Sequence, residues 1–320
     1  MRSYDFHDFS RAGLRFGRWA AWLRIGLAAC VLPMALGSAP ATAVETGPQM
    51  SLSSVETETG GTLLVKIDCR RMPASGRMPN VSFGDQEVYL FPHPGQTKRV
   101  YAGLVGIPLS ARPGPAALTV AWGDSAQRRS ESVAFVIKPG TYGEETLKVD
   151  PRHVRPSSKD LERIRREQEE LKQIYASGSR SRLWQGEFQI PVPGEMNGPF
   201  GTRRLFNNEL QSHHTGMDFR AQTGDPVHAA GAGVVRLTKD LFYSGNAVVI
   251  DHGAGVFTSY SHLSRIDVKV GQRIEKGRTV GLAGATGRAT GPHLHWGVKV
   301  NSVNVNPLTF IRVIERLSGD

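Results

Sequence analysis

The stretch GPHLHWGVKV, residues 291–300, decides how the C-terminal half of this chain is read. Leu294, Trp296, Val298 and Val300 alternate there with His293, His295, Gly297 and Lys299. Side chains of a strand point to opposite faces in turn. The spacing therefore predicts a strand over 293–300 with a greasy face beneath and two adjacent imidazoles above. Two imidazoles alone make an unfinished metal site, so the missing ligands must come from elsewhere in the chain.

Residues 213–218, HHTGMD, offer them. His214 and Asp218 lie four apart, a spacing that a helix would align. Gly216 argues instead for a bent loop entering a strand at Met217–Arg220. Two His and one Asp suit Zn²⁺ in a catalytic site, where a fourth position is kept for water. No HExxH is present, which excludes a zincin. Seven of the ten histidines fall between 213 and 295, a concentration that packing alone does not account for. His262, in Ser261-His262-Leu263, belongs to it. His213 reads as a neighbour of the ligand, His228 as a strand-face residue between apolar neighbours, and His252 as a strand end before Gly253. Asn207, Asn208 and Asn246 read as turn chemistry. Asp251 would either orient a histidine or satisfy backbone groups in a turn.

Outward from the histidines, short β-branched runs at 247–251, 256–261 and 279–282 alternate with glycines, so 183–320 reads as a β-rich domain. It holds a faint echo: Gly224-Asp225-Pro226-Val227 with Gly233-Val234, then Gly271-Gln272-Arg273-Ile274 with Gly277 and Val280. Residues 141–182 read as a connector. Ser157 or Ser158 can cap a helix ending near Ser177, with Gly178 as its stop. Leu161, Ile164, Leu171, Ile174 and Tyr175 form its apolar stripe, suited to packing on a neighbour. A coiled-coil partner is the alternative, for which about three heptads are short. Residues 44–140 read as all-β. Leu63, Val65, Ile67 and Cys69 share a face, as do Leu118, Val120 and Trp122, and Val133, Phe135 and Ile137. Short strands punctuated by Pro and Gly suggest a small β-sandwich of immunoglobulin type, a spacer or binding module.

Residues 1–43 look like an export signal. Arg11, Arg15, Arg18 and Arg24 precede an apolar run over 25–36, and Ala41-Thr42-Ala43 fits the small-x-small cleavage rule. The run is short for a membrane span of about 20 residues. An uncleaved anchor over 19–36 is a second outcome. Lipid attachment at Cys30, in Leu27-Ala28-Ala29-Cys30, is a third, although the apolar run continues past that cysteine. Cleavage would leave Cys69 alone, without a disulfide partner and readable as a small buried hydrophobe. The chain carries +10; five Arg and two Asp lie in 1–43, so cleavage would leave +7. That charge suits a cell-wall polymer, a membrane surface or nucleic acid. The absence of any nucleic-acid-binding signature puts nucleic acid last.

Taken together, the motifs of 198–308 resemble lysostaphin/LytM-type zinc metalloendopeptidases, which cut peptidoglycan peptides. The matching text is GPFGTR at 198–203, HTGMDF at 214–219, GDPV at 224–227, VIDHG at 249–253, YSHL at 260–263, GATG at 284–287 and GPHLHW at 291–296. The order of β-sandwich, helical connector and peptidase also resembles exported Gram-negative wall peptidases. The resemblance implies a compact antiparallel β fold, sometimes called a duplicated hybrid motif. It implies zinc on His214, Asp218 and His295, with His262 and His293 catalytic. It also implies a periplasmic or envelope enzyme acting on D-alanyl–diaminopimelate bonds. Two alternatives stay open: a non-catalytic relative of the same fold that activates amidases or binds wall, which would lack ligands, and a glycyl-glycine endopeptidase. Membrane association through a retained or lipidated N-terminus also stays open.

Overall fold

The computed structural model describes residues 47–73, 77–96, 98–124 and 128–319. The expected export signal lies outside them. The chain is mainly β, and residues 45–320 cluster as one unit.

In the N-terminal part, strands β1 (Thr62–Asp68) and β2 (Val100–Gly106) centre a four-stranded sheet, and β3 (Gly114–Trp122) and β4 (Arg129–Lys138) centre a five-stranded one. Leu63, Val65, Ile67 and Val105 from the first sheet meet Val81, Leu118, Val120, Phe135 and Ile137 from the second. Cys69 is buried in the same layer. Alternation accounts for that layer but not for Leu64 and Leu104, which are also fully enclosed. Their face of the sheet packs on the C-terminal half, beside Trp184, Val300 and Val305. The unbroken apolar run Leu63-Leu64-Val65 therefore marks a strand buried on both faces, not one with a solvated side.

The expected connector contributes more than a helix. Strand β5 (Glu144–Leu147) pairs in parallel with β6 (Arg203–Phe206), which pairs with β7 (Leu210–His213). Helix α1 (Ser158–Ala176) is capped by Ser157, whose hydroxyl accepts from the Asp160 amide. Ile174, Leu171 and Tyr175 seat it on Leu237, Leu241, Ala247, Val249 and Phe257, so its stripe packs within the chain. Leu161 departs from the expected stripe and is 41% exposed. The buried face is rotated toward Asp160 and Glu167, because both carboxylates are satisfied there. Arg152 and Ser157 hold Asp160; Arg163 and the Phe242 amide hold Glu167.

The C-terminal sheet is antiparallel throughout. Its neighbours run from β8 (Met217–Arg220) through the strands His293–Val300, Val256–Leu263 and Gly245–Gly253 to Gly233–Leu241. In chain order the last four are β9 (Gly233–Leu241), β10 (Gly245–Gly253), β11 (Val256–Leu263) and β12 (His293–Val300). Helix α2 (Pro307–Gly319) closes the chain over this core, an element the sequence reading did not anticipate. The faint echo has a structural counterpart. Pro226 and Val227 pair with Leu282 and Gly281, while Gly233 and Val234 pair with Ile274 and Arg273. The strands that carry the two copies are thus neighbours in the fold.

Candidate metal centre

Strand β12 has the expected two faces. Leu294, Trp296, Val298 and Val300 are buried, and β8 and β11 flank the strand. Register brings the carboxylate to the imidazole: Asp218 is the direct cross-strand partner of His295. His214 sits in the loop before β8. Its Nδ1–H donates to the Pro199 carbonyl at 2.8 Å, which leaves Nε2 facing the site. Such an outer hydrogen bond fixes the ring of a metal-binding histidine. Gly216 must be glycine, since a Cβ there would lie 2.7 Å from the His295 ring and 2.6 Å from the Trp296 carbonyl.

The three groups converge. His214 Nε2 is 3.0 Å from Asp218 Oδ1 and 2.9 Å from His295 Nδ1, and His295 Nδ1 is 2.8 Å from Asp218 Oδ1. Together they could hold a metal ion. Two nitrogens, one oxygen and no sulfur fit a hard or borderline divalent ion. Burial pushes the Asp218 carboxyl up, but hydrogen bonds with His214 and His295 outweigh it and hold the group far below the usual carboxylate range. Burial pushes His295 down, with Asp218 opposing. A carboxylate and a neutral imidazole are the forms in which the two residues would hold a metal ion.

Arg204 was not found by sequence reasoning. From β6, its Nη2 donates to Asp218 Oδ2 at 2.7 Å, turning Oδ1 toward the histidines, and its Nε donates to Glu145 of β5. Nothing in the text GTRRLF marks which arginine does this; only the pairing of β5, β6 and β7 does.

His262 and His293 stand beside the three. Their ring centroids are 4.7 Å apart, and His262 is 6.0 Å from His295. Alternation along β11 would send His262 to the core with Tyr260. Its φ of +62° turns the ring out into the groove instead. A left-handed backbone costs a non-glycine residue of order 1–3 kcal/mol and is concentrated at functional sites. His262 donates Nδ1–H to the Thr286 carbonyl and His293 donates Nδ1–H to Gly291, both at 2.8 Å, so each presents Nε2. Burial, then the neighbouring His293 and His295, push His262 down to about 3. It is neutral at pH 7.

Asp251, His252, Asn207 and His213 have structural partners, whereas the buried His228 Nδ1 has none among the described residues. Asp251 accepts from the backbone of Ser179 and Gly253, the turn role. His252 lies in the core and bonds the Ala232 carbonyl and the Thr258 hydroxyl. Asn207 pairs with both backbone groups of Val149. His213 reaches the Gly201 carbonyl from the groove wall.

A groove of about 580 Å³ lies over the centre, lined by His214, Asp218, His262, His293, His295 and Arg288 and walled by Glu145, Leu147 and Val149 of the connector. A second groove of about 570 Å³ shares Thr215, Ser244 and His295 with it and runs between α1 and the sheet to Lys299.

Residues 212–307 match the profile of peptidase family M23. A solved Pseudomonas aeruginosa protein described as peptidase M23 is 32% identical; the alignment covers 80% of this chain and 95% of that one, with a TM-score of 0.61. The chain belongs to peptidase family M23. Among curated relatives of this M23 chain, the peptidoglycan DD-endopeptidase ShyA of Vibrio cholerae is 48% identical over 110 residues, 34% of this chain and 26% of that protein. The DD-carboxypeptidase/endopeptidase Mpg of Neisseria meningitidis is 40% identical over 126 residues, 39% of this chain and 29% of that protein. The matched region of the M23 chain thus spans under a third of the length of either.

Proposed function

We propose that this M23 chain is an exported zinc endopeptidase that hydrolyses peptide bonds in peptidoglycan stem peptides or crosslinks, of D-alanyl–diaminopimelate type, in the periplasm or cell envelope. The observation that carries the reading is the convergence of His214 Nε2, Asp218 Oδ1 and His295 Nδ1 within 3.0 Å, with His262 and His293 presenting Nε2 alongside. The curated relatives named as peptidoglycan DD-endopeptidases support the substrate class. In this reading His214, Asp218 and His295 hold the metal, and His262 and His293 are the catalytic pair. A complete set weighs against a non-catalytic activator. Residues 44–140, joined through 141–182 to 183–320 and packed on that part through Leu64 and Leu104, position substrate or cover the groove.

Zinc, when bound, polarises the scissile carbonyl and acidifies a water. The chain's own residues supply the rest. His262, neutral and anchored through Nδ1, presents Nε2 to the groove as a hydrogen-bond acceptor for the attacking water. His293 Nε2 lies 3.8 Å from Asp218 Oδ1 and faces the same space. Acid–base assistance of this kind contributes roughly 10²–10⁴ in rate.

Muropeptides digested by wild type, His214→Ala and His293→Ala, with zinc measured by atomic absorption, test the assignment. Both variants should be inactive, and only His214→Ala should lose most of its zinc. Equal metal loss in the two would overturn the division of labour. No muropeptide cleavage by zinc-loaded wild type would overturn the function.

A further inference from the structure

The two grooves meet at His295, and each is lined by a cation with no ion-pair partner among the described residues. Arg288 lines the first, with its guanidinium 4.0 Å from the centroid of Phe206 and 4.5 Å from that of Tyr243. Lys299 lines the second. Its Nζ is 4.9 Å from the centroid of the Tyr175 ring of α1, and its one hydrogen bond is to the Ser302 carbonyl at 3.4 Å. Arg204, in the first groove, contrasts with both, because Asp218 and Glu145 neutralise it.

The placement of Lys299 follows from the strand. It shares the face of β12 that carries His293 and His295, four residues beyond the latter, or ~13 Å at the rise of a strand. Gly297 lies between them, and Ser259, whose hydroxyl would stand 2.5 Å from a Cβ there, lines the second groove over this stretch. An extended peptide in the second groove can run over Ser261 and Ser259 from His295 to Lys299. Aromatic faces hold both cations in place without supplying a negative charge. Burial disfavours the charge of each, pushing Lys299 down to about 8 and lowering Arg288. A cation in that situation gains from an anionic ligand that desolvates with it.

We propose that Arg288 and Lys299 are carboxylate anchors, one in each of the two grooves that meet at His295, so that the chain selects peptides bearing carboxylates on both flanks of the bond aligned with the metal centre. This deepens the peptidase reading and rests on it for the position of that bond. It also favours acidic stem peptides over glycyl-glycine bridges, whose residues carry no side-chain carboxylate.

The test uses uncleavable peptides with a reduced amide at the scissile position. One carries carboxylates two to four residues away on both sides, one carries carboxamides there, and two mixed peptides carry a single carboxylate each. Titration calorimetry on zinc-loaded wild type should show about 10–100-fold tighter binding per carboxylate, the size of one charge-assisted hydrogen bond. Arg288→Gln should erase the preference on one side and Lys299→Gln on the other, with zinc content unchanged. Wild type that binds carboxylate and carboxamide peptides within 3-fold of each other would overturn the inference, with no variant needed. A preference surviving in both variants would overturn it too. Hydrolysis of the parent amide is scored separately. If it is absent while the carboxylate preference holds, the peptidase reading fails and the anchors stand.

Discussion

At the scale of single residues, the centre depends on how each side chain is held as much as on its identity. Arg204 shows this most directly. It occupies Asp218 Oδ2 and so commits Oδ1 to the histidines. Removing it leaves a buried carboxylate free to rotate and without its counter-charge. Outer partners of this kind typically contribute 10–100-fold to metal affinity. Arg204→Ala is therefore expected to weaken zinc binding by about that factor, measured by competition with a chromophoric chelator, and Arg204→Lys should recover only part of it because the fork geometry is lost. His214, Asp218, His262, His293 and His295 were all legible in the text, since HxxxD, HxH and SHL have recognisable spacing. Arg204 was not, because its role comes from a three-strand pairing with no local signature. The direction of His262 was not legible either. A periodicity of two assigns it to the core, and only the left-handed backbone reverses that.

At the scale of elements, strands with one apolar face were the most readable. β8 and the strand Thr279–Leu282 fall at the expected residues, and β12 differs by none from the 293–300 reading. α2 was missed although Asn306 caps it through the Leu308 amide and Pro307 occupies its first position. Phe310, Ile314 and Leu317 repeat at helical spacing there, but the short apolar run Phe310-Ile311 reads equally well as a strand. The sheet interior carries a polar link that makes it sensitive to acid. His252 bonds the Ala232 carbonyl through Nδ1 and the Thr258 hydroxyl through Nε2, 2.8 Å each, tying β10 to β11. Burial pushes this imidazole down to about 4. The unfolded chain, near 6.5, then binds more protons than the folded one between pH 6.5 and 4, so stability rises with pH across that window and is lost as pH falls through it. The loss assignable to His252 is about 3 kcal/mol by pH 4. Urea melts at pH 7, 5.5 and 4.5 should show a steeper decline for wild type than for His252→Gln, which has no imidazole to titrate. Parallel declines would assign the acid sensitivity elsewhere.

At the scale of the whole molecule, the sheet built on β1 and β2 is buried from both sides. One face meets the second N-terminal sheet through Leu63, Val65 and Val105, and the other meets the C-terminal half through Leu64, Ala102 and Leu104. Side chains of both halves complete that second layer, with Phe91 edge-on to Trp184 at 5.5 Å between ring centroids. The Asn301 amide adds a polar tie, donating to the Leu104 carbonyl at 2.8 Å. Sequence patterning suggested separable modules because each strand was read with one apolar face; the continuous run Leu63-Leu64-Val65 was the signal that a second face was covered. A shared apolar layer couples unfolding of the parts that line it. Calorimetry of the zinc-loaded protein should therefore show one transition across residues 45–320. Leu104→Ala, a large-to-small change in a fully buried N-terminal strand, should cost about 2–5 kcal/mol. It should lower the temperature at which Trp296 fluorescence and zinc release report loss of the C-terminal half. Two resolved transitions, with Leu104→Ala shifting only the one that leaves zinc in place, would mean the halves fold independently and merely touch.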